Sequence, residues 1–152
     1  MDNDVVEVQP KGISPTGKGC AVFFGNEEKT FIIYIDQGVG QALSMAMNDV
    51  RPQRPLTHDL LQSIFVGLNV ELKRVIINDV NQSTFYARIV LEMENELGKK
   101  IIKIDARPSD ATVLAVQMGK PIFVAQKVFD LAEDVTEILE RIHRQKDEDE
   151  AL

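Results

Sequence analysis

The stretch IIKIDARPSDATVLAVQMGKP, residues 101–121, decides the fold, because the chain carries a second copy of its pattern. A shift of 69 positions places IIYIDQGVGQALSMAMNDVRP, residues 32–52, on it without a gap. Each copy predicts a strand that ends in Ile-Asp, a short loop, a helix and a following proline. The identical pairs are Ile32 and Ile101, Ile33 and Ile102, Ile35 and Ile104, Asp36 and Asp105, Ala42 and Ala111, Ala46 and Ala115, and Pro52 and Pro121. The sequence therefore predicts an internal duplication.

The residues shared by the two copies have a clear structural use. Asp36 and Asp105 each lie just before a helix start, where a carboxylate accepts hydrogen bonds from free N–H groups and is stabilised by the helix dipole. The shared alanines lie one turn apart on each helix, so each helix can lie close to a sheet. We therefore expect an α+β (α/β-type) fold. In it, duplicated β-β-α units form a mixed β-sheet, or two sheets, with the helices packed outside in a single domain.

Further strand and helix patterns extend outward from the two copies. CAVFFG, residues 20–25, predicts a hairpin with the run that follows it. NVELKRVIINDV and STFYARIVLEM predict two long strands with a tight link at Asn81 and Gln82, and PIFV predicts a short buried strand. Gly119 is expected to close the helix of the second copy in the left-handed conformation. THDLLQSIFVGL predicts a helix with Thr57 as its N-cap and an apolar face made of Leu60, Leu61, Ile64, Phe65 and Leu68.

The two ends of the chain have less regular patterns. VVEVQPKGISPTG, residues 5–17, begins as a strand and is expected to break at its prolines and glycines. Residues 126–144 predict one helix, which we expect to pack on its own domain, with contact in a dimer as the alternative. We assign the domain to residues 1–145 and an acidic disordered tail to residues 146–152. The apolar residues spaced three and four apart in the predicted helix are Val128, Leu131, Val135, Ile138 and Ile142.

Composition restricts the class of protein. With 152 residues, 44% of them apolar, the chain can form one domain with a full core. Its formal net charge of −7 shows no basic excess, which counts against tight non-specific binding of polyanions. Cys20 is the one cysteine, and we expect a buried strand thiol in a reducing compartment. Because the sequence has neither a signal-peptide pattern nor an apolar run of membrane-spanning length, we expect a cytoplasmic protein without membrane contact.

The two copies differ where the strand passes into the helix. The first has QGVG after its aspartate, whereas the second has ARPSD and so adds Arg107, Ser109 and Asp110. Strand-to-helix junctions commonly hold ligands, and helix N-termini favour anions. The alternative interpretation is structural. In that case Ser109 is an N-cap, Asp110 interacts with the helix dipole, and Arg107 pairs with Asp105.

A second polar cluster, RPLTHDLL, contains Arg54, Thr57, His58 and Asp59 at the start of another helix. Histidine is the side chain best suited to proton transfer, although a surface histidine beside a cap is the structural alternative. The sequence has two histidines, and we do not expect them to form an acid–base pair. Phosphodiester chemistry would be easier to build from carboxylates that hold a divalent cation, with one histidine assisting. The sequence contains no phosphate loop, zinc-ligand spacing, HExxH or GxSxG pattern.

These segments together resemble a known family. RPLTHDLL, STFYARIVLEM and IDARPSDATVLAVQMGKPIFVAQKVF, in this order and spacing, are similar to the bifunctional nuclease family, and the resemblance covers residues 23–129. It implies a nuclease acting on DNA and RNA, a compact α/β fold with a mixed sheet, and homo-oligomers, of which we favour a dimer. The alternative is a non-catalytic oligomeric module that binds a small anion or a protein partner. A structural interaction protein, for which the C-terminal helix is the cue, ranks third.

Roles for individual residues are our hypotheses within this resemblance. We expect Arg107 to neutralise a phosphate, His58 to move a proton, and carboxylates to hold a divalent cation, Mg²⁺ or Mn²⁺. The predicted catalytic residues are His58, Asp59, Asp105, Arg107 and Asp110. The predicted metal ligands are Asp59, Asp105 and Asp110. The predicted substrate-binding residues are Arg54, Thr57, Tyr86 and Ser109.

Overall fold

The computed structural model describes residues 4–151, which form seven strands and five helices. The strands are β1 (Val5–Pro15), β2 (Cys20–Gly25), β3 (Thr30–Ile35), β4 (Val70–Asn81), β5 (Thr84–Asn95), β6 (Gly98–Ala106) and β7 (Ile122–Ala125). The helices are α1 (Gln37–Met47), α2 (Thr57–Gly67), α3 (Pro108–Met118), α4 (Gln126–Leu131) and α5 (Thr136–Glu150). One mixed sheet has the order β3-β2-β1-β7-β4-β5-β6, with the helices packed around it, which confirms the predicted α+β single domain. None of the described helices is long and apolar enough to cross a membrane.

The duplication is visible as two halves of the sheet. β1, β2 and β3 form an antiparallel unit followed by α1, and β4, β5 and β6 form another that leads into α3. Each half thus has one strand more than the predicted β-β-α unit. In the first half, β1 does not break at Pro10 and Gly12 but continues through them with a register shift against β2. A bulge tolerates these residues because it leaves a position unpaired.

β7 joins the two halves. It pairs antiparallel with β1 through residues 5–8 and parallel with β4 through residues 75–77. Its alternate residues Ile122 and Val124 are buried, as expected for a short central strand. The sheet is continuous only because β7 lies between β1 and β4.

The sheet curves around an aromatic core. The Phe31 ring in β3 stacks on Phe24 in β2 at a centroid distance of 5.9 Å and on Phe85 in β5 at 6.2 Å. Phe129 in α4 packs edge-on against Phe31 at 6.3 Å. Because β3 and β5 lie far apart in the strand order, these contacts require the edges of the sheet to bend toward each other. The curvature brings the end of β3 near the end of β6, and α1 packs against α3.

The C-terminal region is not the single helix that the sequence predicts for residues 126–144. The chain breaks between α4 and α5 because it pairs with the start of β3. Asp134 Oδ1 accepts hydrogen bonds from the N–H groups of Thr30 and Thr136 at 3.2 and 3.0 Å. The N–H of Val135 donates to the Thr30 carbonyl at 2.7 Å. These tertiary hydrogen bonds replace the helical ones at the break.

The buried face of the C-terminal region also differs from the predicted seam. Leu131 and Ile138 are 76% and 44% exposed, so the apolar spacing does not define one continuous face. Val135 and Leu139 are buried in a small cluster with β2. α5 therefore packs on its own domain, as expected. Residues 146–150, which we assigned to a tail, continue α5 as exposed helix.

α2 buries a narrower face than the sequence predicts. Phe65 is buried, and Leu61 packs against the core beside it. Leu60, Ile64 and Leu68, which the pattern assigns to the same face, are all exposed. The helix thus presents a second apolar stripe to solvent.

Candidate functional site

Four polar side chains connect the starts of α1, α2 and α3. The Asp110 carboxylate in the first turn of α3 lies at the centre, with Oδ1 2.9 Å from Nε2 of His58 in α2. Its Oδ2 accepts a hydrogen bond of 2.8 Å from Nε of Arg107, which precedes α3. Nη1 of Arg107 donates to Oδ2 of Asp36, which precedes α1, at 3.0 Å. We call His58, Asp110, Arg107 and Asp36 the junction cluster.

Burial decreases along the junction cluster. The His58 side chain is 9% exposed and that of Asp110 is 31% exposed, whereas Arg107 and Asp36 reach 59% and 76%. Pro108 occupies the first position of α3 and sets the backbone dihedral between Arg107 and Asp110. The cluster therefore runs from a buried imidazole to a solvent-exposed carboxylate.

The charge state of Asp110 follows from its partners. Burial opposes ionisation, but the hydrogen bonds from Arg107 and His58 and the positive charge of Arg107 outweigh it, so the pKa of the Asp110 carboxyl lies below its ordinary value. The hydrogen bond and charge of Asp110 in turn raise the pKa of the Arg107 guanidinium. Asp110 is therefore an anion at neutral pH, and Nε2 of His58 carries the hydrogen that points to it. This tautomer leaves the lone pair of neutral His58 on Nδ1.

His58 lines a cavity of about 440 Å³ between α1, α2, α3 and residues 49–56. The volume is within the usual range for small-ligand sites. Nδ1 of His58 has no hydrogen-bond partner among residues 4–151. In that range, Asn78 Oδ1 is the one side-chain polar atom buried without a partner, so Nδ1 keeps access to solvent. A molecule in this cavity therefore lies beside an imidazole that has one ring nitrogen held by Asp110.

Arg107 lines a second cavity, of about 300 Å³, between the end of β3 and the β4–β5 turn. Its Nε and Nη1 bind carboxylates, and in the part of the chain that the structure describes Nη2 has no partner. Nη2 can therefore donate to an anionic oxygen. The junction cluster has two carboxylates and one guanidinium, so it carries one formal negative charge while His58 is neutral, and its net charge opposes the approach of a free anion.

The family model of the bifunctional nuclease domain matches residues 22–137, most of the chain. The chain belongs to this family. Two uncharacterized proteins from two strains of Mycobacterium tuberculosis are each 36% identical to it over 103 residues, which cover 68% of this chain and 58% of each relative. The matched part thus spans somewhat more than half the length of these curated relatives. All four members of the junction cluster lie inside the range matched by the family model.

In this bifunctional nuclease domain, the residues predicted from RPLTHDLL have different hydrogen-bond partners. His58 belongs to the junction cluster, but its neighbour Asp59 has other partners. Asp59 Oδ2 accepts from the N–H of Leu56 at 2.8 Å, and Oδ1 accepts from Nε2 of Gln117 at 3.4 Å. Thr57 is the first residue of α2 and not its N-cap, a position held by Leu56. Arg54 is exposed in the preceding loop and has no hydrogen bond or ion pair with the cluster among the described residues.

The other predicted residues lie on β5, on β6 and at the start of α3. Asp105 in β6 is exposed, and across residues 4–151 no hydrogen bond or ion pair joins it to the junction cluster. The structural interpretation expected Arg107 to pair with Asp105, and this expectation is wrong, because Arg107 binds Asp110 and Asp36. Ser109 is 7% exposed in the first turn of α3 and lines the smaller cavity. Tyr86 is 42% exposed on β5, opposite Asp79 of β4.

The predicted carboxylate metal centre is not formed. Asp59 caps α2, Asp105 stands apart on β6, and Asp110 binds Arg107 and His58. Throughout residues 4–151, no group of three or more His, Cys, Asp or Glu side chains is placed to hold a metal ion. The expected Mg²⁺ or Mn²⁺ therefore lacks a donor set built from these aspartates, and we derive no step through it.

Asp36, Arg51, Gln62 and Gln117 contribute to the cluster or the larger cavity but were not among the predicted site residues. Asp36 carried a signal, since the repeat marks it as a shared acid, but the alignment placed it opposite Asp105 and not beside Arg107. Gln62 and Gln117 carry no motif, and only the packing of α2 on α3 brings their amides together.

Proposed function

We propose that this bifunctional nuclease domain hydrolyses phosphodiester bonds in DNA or RNA, with His58 as the group that moves the proton. One observation carries the proposal. Asp110 holds Nε2 of His58 at 2.9 Å, Nδ1 has no partner among residues 4–151, and the His58 side chain lines a cavity of about 440 Å³. A carboxylate that fixes the tautomer and orientation of a histidine prepares the other ring nitrogen for general acid–base catalysis. Membership of the family supports the reaction class.

The proton has a complete path in this proposal. Nδ1 of His58 removes a proton from a water molecule as the water oxygen attacks phosphorus. The bond between phosphorus and one sugar oxygen breaks, and His58 returns the proton to that oxygen. The phosphate product therefore gains the hydroxyl of one water molecule, and the released sugar oxygen gains its remaining proton. The ionised carboxylate of Asp110 stabilises the positive charge that the imidazole carries between these steps.

Two arginines have different tasks in this proposal. Arg51 lines the cavity that contains His58 and supplies positive charge to a phosphate held there. Arg107, which we expected to neutralise the phosphate, has two of its three nitrogens bound to carboxylates. We therefore assign Arg107 to keeping Asp110 ionised and in place, with Nη2 left as a donor to a phosphate oxygen at the exposed end of the cluster.

A nuclease assay with matched variants tests the proposal. Purified protein is incubated with labelled single- and double-stranded substrates in Mg²⁺, in Mn²⁺ and in EDTA. His58→Gln and Asp110→Asn should each lower kcat at least about 100-fold, the usual minimum contribution of a general acid–base group. His143→Gln and Asp147→Asn make the same chemical changes on the exposed surface of α5 and should leave kcat at the wild-type value.

Two results would contradict the nuclease proposal. Equal cleavage by wild type, His58→Gln and Asp110→Asn would identify a contaminating enzyme. No cleavage under any condition, together with a melting temperature raised by inorganic phosphate, would favour the non-catalytic anion-binding module.

Homodimer formation and a cytoplasmic location are part of the proposal. The exposed stripe on α2 supports a dimer, because Leu56, Leu60, Ile64 and Leu68 recur at every fourth residue and are 47%, 55%, 44% and 64% exposed. Light scattering should give twice the chain mass for wild type and a lower mass for Leu60→Glu. Cys20 as a free thiol supports a reducing compartment, which cell fractionation tests.

A further inference from the structure

We infer that the larger cavity binds a single unpaired nucleobase, so that the substrate enters as a single strand or with one nucleotide turned out of its stack. The inference rests on the proposed function and deepens it. The cavity, of about 440 Å³, lies between α1, α2 and α3 and is closed on one side by residues 49–56. This volume is suited to one nucleotide and not to a duplex. Enzymes that must reach a group inside a base stack bring out one nucleotide in this way.

A row of side-chain amides forms the polar wall of this cavity. Nε2 of Gln117 donates to Oδ1 of Asp59 at 3.4 Å, and Nε2 of Gln62 donates to Oε1 of Gln117. Because a carboxylate can only accept, Asp59 fixes which end of the Gln117 amide faces it, and Gln117 in turn fixes Gln62. Each amide is thereby held in one orientation before a ligand arrives.

The oriented amides retain hydrogen-bonding capacity. Within residues 4–151, Oε1 of Gln62 has no partner, and each of the two Nε2 groups has a second N–H that is not used. A neighbouring acceptor and donor on one amide match the edge of a nucleobase, as glutamine does when it binds adenine. A phosphate alone would use only the donors.

The other walls are suited to the flat faces of a base. Met45 from α1, Val50 and Leu56 from the segment before α2, and Val116 from α3 provide apolar surface. Apolar side chains on the two faces and polar groups at the edge are the usual arrangement around a base outside its stack. His58 and Arg51 line the same cavity, so the phosphate of the bound nucleotide lies where the proposed proton transfer takes place.

Calorimetric titration with ligands that contain no phosphodiester bond separates this inference from catalysis. Adenosine 5′-monophosphate and ribose 5-phosphate share a sugar phosphate and differ by the base. Wild-type protein should bind the nucleotide at least about tenfold more tightly, the effect of hydrogen bonds and apolar contact that only the base makes. Gln117→Leu should remove most of that difference, whereas Gln145→Leu on α5 should preserve it. Ala46→Leu, which fills the cavity from α1, should remove it without altering the amides.

The outcomes distinguish the two proposals. If ribose 5-phosphate binds as tightly as the nucleotide to folded wild-type protein, the cavity does not recognise a base and the inference is wrong, even where the nuclease assay detects cleavage. The same conclusion follows if Gln117→Leu, Ala46→Leu and Gln145→Leu all retain the preference for the nucleotide. A base preference that Gln117→Leu and Ala46→Leu abolish supports the inference, also where cleavage is absent and the proposed hydrolysis fails.

Discussion

Nη1 of Arg107 lies 3.0 Å from Oδ2 of Asp36, although the two residues follow strands at opposite edges of a seven-stranded sheet. Each residue stands immediately before a helix, and those two helices pack on each other. The ion pair therefore links the two halves of the sheet through the N-cap residues of α1 and α3. It also places a second carboxylate beside the guanidinium that holds Asp110.

Replacing Asp36 with Asn should strengthen the binding of phosphate-containing ligands. The change releases Nη1 of Arg107 and removes the excess negative charge of the junction cluster, so we expect a single-stranded oligonucleotide to bind a few-fold more tightly at low salt. The gain should shrink as salt is added, because both groups are exposed. Fluorescence anisotropy at two salt concentrations measures it. Asp147→Asn changes net charge equally on α5, and an equal gain there would assign the effect to overall charge.

Asp110 should stabilise the folded state in a pH-dependent way. Its pKa in the folded protein lies below the ordinary value, so the unfolded chain binds that proton more tightly. The stabilisation is complete above the ordinary aspartate value of about 3.9 and is lost as the pH falls through the lower folded value. Urea unfolding should give wild type a larger free energy of unfolding than Asp110→Asn at pH 7, and this difference should narrow below about pH 4. A gap of constant size down to pH 2 would contradict this assignment.

Two glycines of α1 should respond oppositely to the same substitution. A Cβ on Gly40 would lie 2.5 Å from Sγ of Cys20, whereas a Cβ on Gly38 would meet no atom within 4 Å. Overpacking costs about 1–3 kcal/mol, and Ala favours a helix over Gly by up to about 1 kcal/mol. Gly40→Ala should therefore lower the free energy of unfolding by roughly 1–2 kcal/mol, while Gly38→Ala should raise it by a few tenths to about 1 kcal/mol. In the double variant, Cys20→Ala should restore part of the stability that Gly40→Ala removes. If the effects of the two substitutions on the free energy of unfolding are additive, the contact with the sulfur is not the cause.

Lys29 should be an unusually important lysine for stability. Its Nζ donates to the carbonyls of Phe129 at 2.6 Å and Ala132 at 3.1 Å, at the end of α4. It also lies 5.0 Å from the centre of the Phe129 ring. Lys29→Met keeps the alkyl chain but loses the charged donor, so the free energy of unfolding measured in urea should fall by about 1–3 kcal/mol. Lys18→Met in the exposed turn before β2 should stay within about 0.5 kcal/mol of wild type, and a similar loss in both would contradict the role of the carbonyls.

The local sequence pattern was sufficient to predict features that depend on neighbouring residues within one element. Gly119 ends α3 with φ of 66°, in the left-handed conformation that the sequence predicted. The strand-to-helix passages of both copies were also found, because each is encoded within about twenty residues. The helices nevertheless start after Asp36 and Arg107, which are 71 residues apart, so the shift of 69 that aligns the strands does not align the helix starts.

Tertiary contacts determine the features that the sequence pattern did not predict. The break between α4 and α5 depends on Thr30, which is remote in sequence from Asp134 and Val135. The carboxylates selected as metal ligands have different surroundings, because Asp59 caps its own helix and Asp105 is exposed on β6, with no hydrogen bond or ion pair to the cluster among residues 4–151. His58 and Asp110 were both predicted site residues, but only the packing of α2 against α3 shows that they bind each other.

The position of β7 has a consequence for how the protein is made. Its residues Ile122–Ala125 are synthesised late, yet they are the strand that joins β1 to β4. Until they leave the ribosome, β1 and β4 each lack the strand that pairs with them in the folded protein, and an unpaired strand edge can be occupied by another chain. Chaperone capture during translation should therefore end sharply once this four-residue strand emerges.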